Sequence, residues 1–133
     1  METYLIDDDY LSLFLTEHLL RAEGFSNAIC TFQSAKEALA QLVTGQGHSV
    51  PQVVFLDLNM PEMNGWDFLD ALVPHREALR GHCTIYILTS SLALNDLEKS
   101  KEYDFVAGLI HKPLNREEIR AILSKQEQRK DSE

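Results

Sequence analysis

The fold is decided by residues 52–65, which read QVVFLDLNMPEMNG. The stretch begins with an apolar run, VVFL at 53–56, and it ends in Pro, Asn and Gly, which are residues typical of turns. A strand that is apolar at successive positions is expected where helices cover both faces of a parallel sheet. The stretch therefore predicts an interior strand of an α/β protein, and it places Asp57 at the carboxyl end of that strand.

Strand-like and helical patterns alternate on either side of this stretch. The predicted strands are at residues 3–6, 26–32, 52–56, 83–88 and 106–111. The predicted helices are at about 10–23, 34–43, 66–73, 92–101 and 115–125, with a short additional helical piece at 75–80. Strict alternation with short connections predicts a (βα)5 α/β fold, in which a mostly parallel sheet has helices on both faces.

The composition indicates a single globular domain. The chain has 133 residues, of which 44% are hydrophobic and 25% are charged, and its formal net charge is -9. An acidic chain is poorly suited to nucleic acid, because that binding depends on Lys and Arg displacing counterions from phosphates. We therefore expect no nucleic-acid partner, and we expect cations or basic protein surfaces instead.

We expect a cytoplasmic location and no membrane association. The N-terminus, METYLIDDD, lacks the basic and apolar regions of a signal peptide. No apolar run approaches the roughly 20 residues that span a bilayer. Cys30 and Cys83 lie in apolar strand-like runs without metal or redox spacing, so both are predicted to be buried, unreactive thiols.

Polar side chains follow four of the five predicted strands. They are Asp7, Asp8 and Asp9 after the first strand, Asp57 and Asn59 after the third, Thr89 and Ser90 after the fourth, and Lys112 after the fifth. Taken singly, each is readily explained as a helix cap, a turn residue or a loop residue. Because the carboxyl ends of parallel strands meet at one edge of the sheet, where ligands bind, we expect the set to form one site.

The chemistry of this set favours a magnesium site for phosphoryl transfer. Several carboxylates that converge on one cleft cannot all stay ionised without a counter-charge. Mg²⁺ binds carboxylate and carbonyl oxygens and works with phosphate oxygens, whereas zinc would require His or Cys ligands and His111 stands alone. With a hydroxyl and a lysine nearby, such a site is equipped for phosphoryl transfer, and an aspartate can itself accept the phosphoryl group.

At these residues the chain resembles the receiver domain of two-component response regulators. The matching segments are LIDDD at 5–9, FLDLNMPEMNGWDFL at 55–69, ILTSS at 87–91 and HKPL at 111–114. Each segment lies at a predicted strand end, and together they form a specific signature that covers about residues 2–127. The resemblance implies a flavodoxin-like doubly wound parallel sheet with strand order 2-1-3-4-5.

The resemblance also implies the role of each site residue. Asp57 is the expected phosphoacceptor. Mg²⁺ is expected to bind to Asp8, Asp57 and the backbone carbonyl of Asn59, and to Asp7 mainly through water. Thr89 and Lys112 are expected to contact phosphate oxygens, together with backbone N–H groups of Asn59 and Ser90. The Lys112–Pro113 bond is expected to be cis, and Asp9 is left to cap the first helix.

The implied function is phosphoacceptance rather than enzymatic turnover. The expected donor is a sensor histidine kinase or a histidine phosphotransfer protein, and a downstream target protein is the expected receiver of the signal. One position departs from the family pattern: Leu109 stands where many members carry Tyr or Phe as a rotamer switch coupled to the threonine. We therefore do not expect an aromatic switch at residue 109.

The sequence favours a stand-alone receiver that acts by docking or in a phosphorelay. The domain is predicted to cover residues 1–127, and residues 128–133 are predicted to form a polar tail after a last helix that ends near Lys125. No DNA-binding or enzymatic output domain is predicted to follow.

The first helix offers a candidate docking surface. A core-facing stripe is predicted for Leu11, Phe14, Leu15, Leu19 and Ala22. Leu13 and Leu20 are then predicted to project from the opposite side. They are either two scattered surface leucines or an apolar docking patch beside the aspartates.

Two other functions and one other ligand compete with this interpretation. Asp7 and Asp9 superficially fit the D-x-D motif of Mg²⁺-dependent phosphohydrolases of the haloacid-dehalogenase-like type, although Leu11 occupies the place of their usual Thr or Val. A pseudo-receiver that only binds partners is opposed by the complete set of site residues. Flavin mononucleotide binding is weaker still, because no Gly/Thr-rich loop follows the first strand.

Overall fold

The computed structural model describes residues 2–44, 50–90 and 94–131. The strands are β1 (Glu2–Ile6), β2 (Ala28–Phe32), β3 (Val53–Asp57), β4 (Thr84–Thr89) and β5 (Val106–His111). The helices are α1 (Tyr10–Ala22), α2 (Ala35–Thr44), α3 (Gly65–Leu72), α4 (Arg76–Leu79), α5 (Leu94–Ser100) and α6 (Arg116–Asp131), with a 3-10 turn at Val73–His75 before α4. The predicted start of the helix at 92–93 lies outside the described residues.

The strands form one parallel sheet in the order β2-β1-β3-β4-β5. This arrangement confirms the predicted flavodoxin-like doubly wound fold. The chain leaves β1 toward β2 on one side and returns through β3 on the other, so the direction of winding reverses beside β1 and β3. In such sheets the binding crevice lies outside the carboxyl ends of the strands at this reversal, which is where Asp7 and Asp57 are found.

The central strand β3 contributes to an apolar core on each side of the sheet. Val54 and Leu56 pack with α2 and α3 residues in one cluster. Val53 and Phe55 pack with residues of α1 and α6 in the other. Successive residues of an extended strand point to opposite faces, which explains why the whole run VVFL is apolar.

Two predictions, the burial of Cys30 and the end of the last helix near Lys125, are wrong. Cys83 is buried, but Cys30 is exposed, because β2 lies at the edge of the sheet, paired only with β1. The last helix does not end near Lys125: α6 continues to Asp131.

Among the described helices, none combines the length and the apolar character that crossing a membrane requires.

The predicted orientation of α1 is wrong by about half a turn. Leu13 and Leu20 are buried and pack in the cluster of Val53 and Phe55. The residues assigned to the core are largely outside: Leu11, Phe14 and Leu15 are exposed, as is Ala22, and only Leu19 is partly buried. Apolar residues occur all around this helix, so the pattern did not single out one face. The burial of Leu13 and Leu20 also removes them as a docking patch.

In their place α1 exposes a different apolar surface, which we call the outer face of α1. It consists of Tyr10, Leu11, Phe14 and Leu15, each more than half exposed. His18 extends this surface by stacking on Phe14, with a distance of 5.7 Å between the ring centroids. These positions span one side of a helix with 3.6 residues per turn, so they form a continuous apolar surface.

Candidate functional site

Three carboxylates meet at the carboxyl edge of the sheet. Asp7 follows β1 and Asp57 ends β3, and the register of these neighbouring strands pairs Ile6 with Leu56, which sets the two aspartates side by side. Carboxylate oxygens of Asp7, Asp8 and Asp57 all lie within 4.8 Å of one another. Asp7 and Asp57 are each only 6% exposed, whereas Asp8 is open to solvent.

Lys112 brings a cation to this cluster from the end of β5. Its Nζ donates a hydrogen bond to Asp7 Oδ2 at 2.6 Å and lies 3.3 Å from Asp57 Oδ1. Its backbone N–H donates to the Thr89 carbonyl at 2.8 Å, which ties it to the end of β4. The Lys112–Pro113 bond is cis, as predicted. We call Asp7, Asp8, Asp57 and Lys112 the acidic site.

Electrostatics in the acidic site disfavour further negative charge. Burial, together with the charge of Asp7, raises the pKa of Asp57 to about 6, even though Lys112 acts in the opposite direction. For Lys112, burial works against the charged form, but the hydrogen bond and charge of Asp7 and the charge of Asp57 outweigh burial and raise its pKa. One lysine thus offsets only part of the charge of three carboxylates.

The other predicted residues lie at the same edge of the sheet. Thr89 ends β4 and is buried, and its neighbour Leu88 is the register partner of Asp57. Asn59 and Ser90 are exposed on the loops that follow β3 and β4. The structure therefore brings the side chains of the acidic site together. Thr89, Asn59 and Ser90 lie at the ends of the neighbouring strands or just after them.

Gly65 is a residue of this region that sequence reasoning did not assign. Its N–H donates to the Leu58 carbonyl at 2.9 Å, and a Cβ at this position would lie 2.8 Å from the Asp57 carbonyl oxygen. Asn64 and Asp67 cap the start of α3 reciprocally. The Asn-Gly pair in the turn was the available signal. Its consequence is that α3 begins in direct contact with the backbone of Asp57.

Asp9 belongs to α1 rather than to the acidic site. Its side chain accepts hydrogen bonds from Leu11 N at 3.0 Å and Ser12 N at 3.5 Å, as an N-cap does. Its own backbone N–H donates to Asp7 Oδ1 at 3.0 Å. The predicted capping role is confirmed, and the D-x-D pattern loses its second carboxylate.

The acidic site has the donor set that Mg²⁺ requires. Carboxylate oxygens are preferred ligands of this ion, and the partly uncompensated charge at Asp57 is what a divalent cation would neutralise. Asp7, Asp8 and Asp57 would hold the ion, and Asn59 is close enough along the chain to add a backbone carbonyl. The residues present therefore fit the ion that the resemblance implies.

Comparison with known proteins agrees with this geometry. The sequence profile of the response regulator receiver domain matches residues 4–124. The chain belongs to the response regulator receiver family. Receiver domains act in two-component signalling and phosphorelay, together with histidine kinases or phosphotransfer proteins.

The alignments with individual relatives extend over most of this chain. Sporulation initiation phosphotransferase F of Bacillus subtilis (strain 168) is 30% identical over 124 residues, covering 91% of this chain and 89% of the relative. The probable methanogenesis regulatory protein FilR2 of Methanothrix harundinacea is 29% identical, covering 87% of this chain and 74% of the relative. The hybrid signal transduction histidine kinase L of Dictyostelium discoideum is 26% identical, and this chain spans only 7% of it.

Solved structures of receivers superimpose closely. A two component response regulator from Cytophaga hutchinsonii gives a TM-score of 0.85 at 28% identity, covering 93% of this chain and 94% of the other. A response regulator receiver protein from Dyadobacter fermentans gives 0.82 at 30% identity, covering 94% and 96%. Both similarities extend over nearly the whole of the compared chains.

Proposed function

We propose that this receiver accepts a phosphoryl group on Asp57 from a phosphohistidine of a partner protein, in a Mg²⁺-dependent reaction. The observation that carries the proposal is the meeting of Asp57 with Asp7, Asp8 and Lys112 at the reversal point of the sheet. A buried carboxylate surrounded by further carboxylates and one lysine has little role in holding the fold together, because its charge is costly there. The same arrangement is suited to phosphoryl transfer.

Asp57 is the nucleophile in this proposal. One of its carboxylate oxygens attacks the phosphorus atom and forms a P–O bond, while the P–N bond breaks and its electron pair stays on the imidazole nitrogen of the donor. A pKa of about 6 leaves most of the Asp57 carboxylate ionised at neutral pH, so the nucleophile is available. The product is an aspartyl-phosphate on this chain.

Lys112, Thr89 and two backbone N–H groups would hold the transferred group. Lys112 already contacts Asp57 and would donate to a phosphoryl oxygen bound there. The Thr89 hydroxyl and the N–H groups of Asn59 and Ser90 are further donors at this edge. Bound Mg²⁺ would supply charge neutralisation at the phosphoryl oxygens, held by Asp7, Asp8, Asp57 and Asn59.

The outer face of α1 is the proposed contact surface for the phosphohistidine donor protein. Asp57 is recessed, so a protein that delivers a phosphoryl group must cover the rim of the acidic site. The outer face begins at Tyr10, directly after the capping residue Asp9, whose backbone N–H donates to Asp7 of the acidic site. A group of adjacent exposed apolar side chains commonly marks a site of protein association.

The proposal is tested by labelling with acetyl phosphate or phosphoramidate, with and without Mg²⁺. Wild type is expected to take up one phosphoryl group per chain when Mg²⁺ is present, and Asp57→Asn is expected to take up none. Asp9→Asn is the matched control: it removes a neighbouring carboxylate but keeps an efficient N-cap, so it should label normally. Label that persists on Asp57→Asn would contradict the proposal.

The same assay separates the proposal from the phosphohydrolase alternative. A phosphoacceptor is labelled in proportion to the protein present, whereas a hydrolase continues to release phosphate from a phosphate ester. The role of Asp9 as a helix cap supports the phosphoacceptor, because it removes the second aspartate of the D-x-D motif from the site. Sustained release of many phosphates per chain from an ester substrate would favour the hydrolase.

A further inference from the structure

A cluster of side chains joins α3 to the end of α5 on the side of the sheet that carries α2 and α3. Trp66 of α3 stacks on Tyr103, with 6.1 Å between the ring centroids and 20° between the planes. The Tyr103 hydroxyl donates to Asp70 Oδ1 at 2.6 Å. Lys99 Nζ lies 4.9 Å from the centroid of the Trp66 ring. We call these residues, Trp66, Asp70, Lys99 and Tyr103, the α3–α5 clamp.

One side of the clamp lies on α3, which begins in contact with the end of β3. Trp66 follows Gly65, which lies against the Asp57 carbonyl and bonds to Leu58. Asp70 is one helical turn further along α3. The start of α3, which carries Trp66, is therefore coupled to the end of β3 by the packing of Gly65 against the backbone of Asp57 and Leu58.

The other side of the clamp belongs to α5 and the turn that follows it, and two of the leucines of α5 are exposed. Within α5, Ser100 is buried, whereas Leu94 is 68% exposed and Leu97 is 41% exposed. Tyr103 is tied to the last turn of α5 by a hydrogen bond from its N–H to the Ser100 carbonyl. The clamp therefore connects the last turn of α5 to α3. Along the chain, α5 begins five residues after Thr89.

The hydroxyl of Tyr103 is well suited to a persistent contact. Its ring is buried and also meets Phe105 edge-on at 5.8 Å. Burial, reinforced by the hydrogen bond to Asp70, raises the pKa of Tyr103, so the hydroxyl stays a donor at neutral pH. Leu109 packs against the same apolar cluster without a ring, so the aromatic contacts with α3 are made by Tyr103 and not by residue 109.

We infer that Tyr103 is a positioning residue whose contacts with Trp66 and Asp70 hold α5 in the arrangement that accompanies an unphosphorylated Asp57. Because Thr89 leads into α5 and Trp66 is fixed to Asp57, recruitment of Thr89 to a phosphoryl group displaces α5 relative to α3 and breaks the clamp. Linkage then requires that breaking the clamp strengthens phosphoryl binding at Asp57 by the same factor. This inference rests on the proposed function.

The test uses beryllofluoride as a phosphoryl mimic in Mg²⁺-saturated buffer. Affinity is measured by calorimetry, and the emission of Trp66, the only tryptophan of the chain, reports on the clamp directly. Wild-type emission is expected to change on saturation. Tyr103→Phe, which keeps the ring and removes the hydrogen bond, and Asp70→Ala are each expected to bind the mimic about 3- to 10-fold more tightly.

Two control variants separate positioning from general loosening. Asp70→Asn keeps an acceptor oxygen for the Tyr103 hydroxyl, so its affinity should stay within about 2-fold of wild type. Arg80→Gln breaks the exposed ion pair between Arg80 and Asp104, which is 2.7 Å long. Asp104 follows Tyr103 in the chain but is not part of the clamp, so this variant should also leave the affinity unchanged.

The outcomes are distinct for the inference and for the proposed function. Unchanged or weaker binding by Tyr103→Phe, or Trp66 emission that stays constant while wild type binds the mimic, would overturn the inference. Tighter binding by Arg80→Gln equal to that of Tyr103→Phe would also overturn it. Absence of binding by wild type itself would count instead against the phosphoacceptor proposal.

Discussion

The acidic site and the outer face of α1 adjoin at Asp9, yet they are opposite in character. The acidic site is recessed and charged, and its side chains are in contact with one another. The outer face is exposed and apolar, and within the described residues its one ring contact is that of Phe14 with His18. The difference fits the function that we propose, in which phosphoryl transfer takes place at the acidic site and the outer face of α1 contacts the donor protein.

This comparison predicts that substitutions in the site affect every donor. Lys112→Ala should slow labelling by phosphoramidate about 100-fold or more, because it removes the ammonium group beside Asp57. The measurement is the initial labelling rate at saturating Mg²⁺. Lys36→Ala is the control. Lys36 is exposed, and its Nζ forms a long, exposed ion pair with Glu62 at 3.9 Å, so this variant should keep the wild-type rate. An equal loss in both variants would show that the effect is not specific to the site.

The two sides of α1 should differ sharply in their contribution to folding. Leu20→Ala is expected to lower the free energy of unfolding by about 3 kcal/mol, because Leu20 is 0% exposed in the core. Leu11→Ala, at 62% exposure, should change it by less than about 0.5 kcal/mol. Urea denaturation followed by circular dichroism measures both. Equal losses would mean that the two faces of α1 are not distinguished as described.

The outer face should matter only to a protein donor. Phe14→Glu is expected to reduce phosphoryl transfer about 10-fold from a phosphohistidine-bearing kinase domain that labels the wild type, because a charge enters an apolar contact. Labelling by phosphoramidate should be unchanged. Val43→Glu, an exposed apolar position at the end of α2, is the control. If the kinase domain transfers the phosphoryl group to Phe14→Glu as fast as to wild type, the outer face is not the contact surface.

The smallest expected effect concerns stability and pH. Since the Asp57 pKa is raised to about 6, its ionised form is less favourable in the folded chain than in the unfolded one. Asp57→Asn should therefore raise the free energy of unfolding at pH 7 by about 1–2 kcal/mol, after allowance for solvent screening. The gain should disappear as the pH falls from about 6 to about 4, and Mg²⁺-free denaturation curves across this range would reveal it. A gain that is independent of pH would contradict the stated cause.

The sequence was sufficient to predict the fold, and it also predicted that the four side chains of the acidic site lie at one edge of the sheet. The run VVFL required a strand covered on both faces, and polar residues after successive strands had to meet at one edge, because all strands of a parallel sheet point the same way. The strand order and register bring together the side chains of the acidic site, which are Asp7, Asp8, Asp57 and Lys112. Short-range signals also predicted the capping role of Asp9 correctly.

Three features were decided only by the tertiary structure: the rotation of α1, the exposure of Cys30 and the stacking of Trp66 on Tyr103. The rotation of α1 could not be predicted, because leucines on several sides of the helix satisfy more than one orientation, and packing against β3 selects Leu13 and Leu20. Cys30 is exposed because β2 is an edge strand. The stacking of Trp66 on Tyr103 joins residues far apart in sequence. Local patterns specify strands, caps and turns, whereas these features depend on which surfaces meet once the chain has folded.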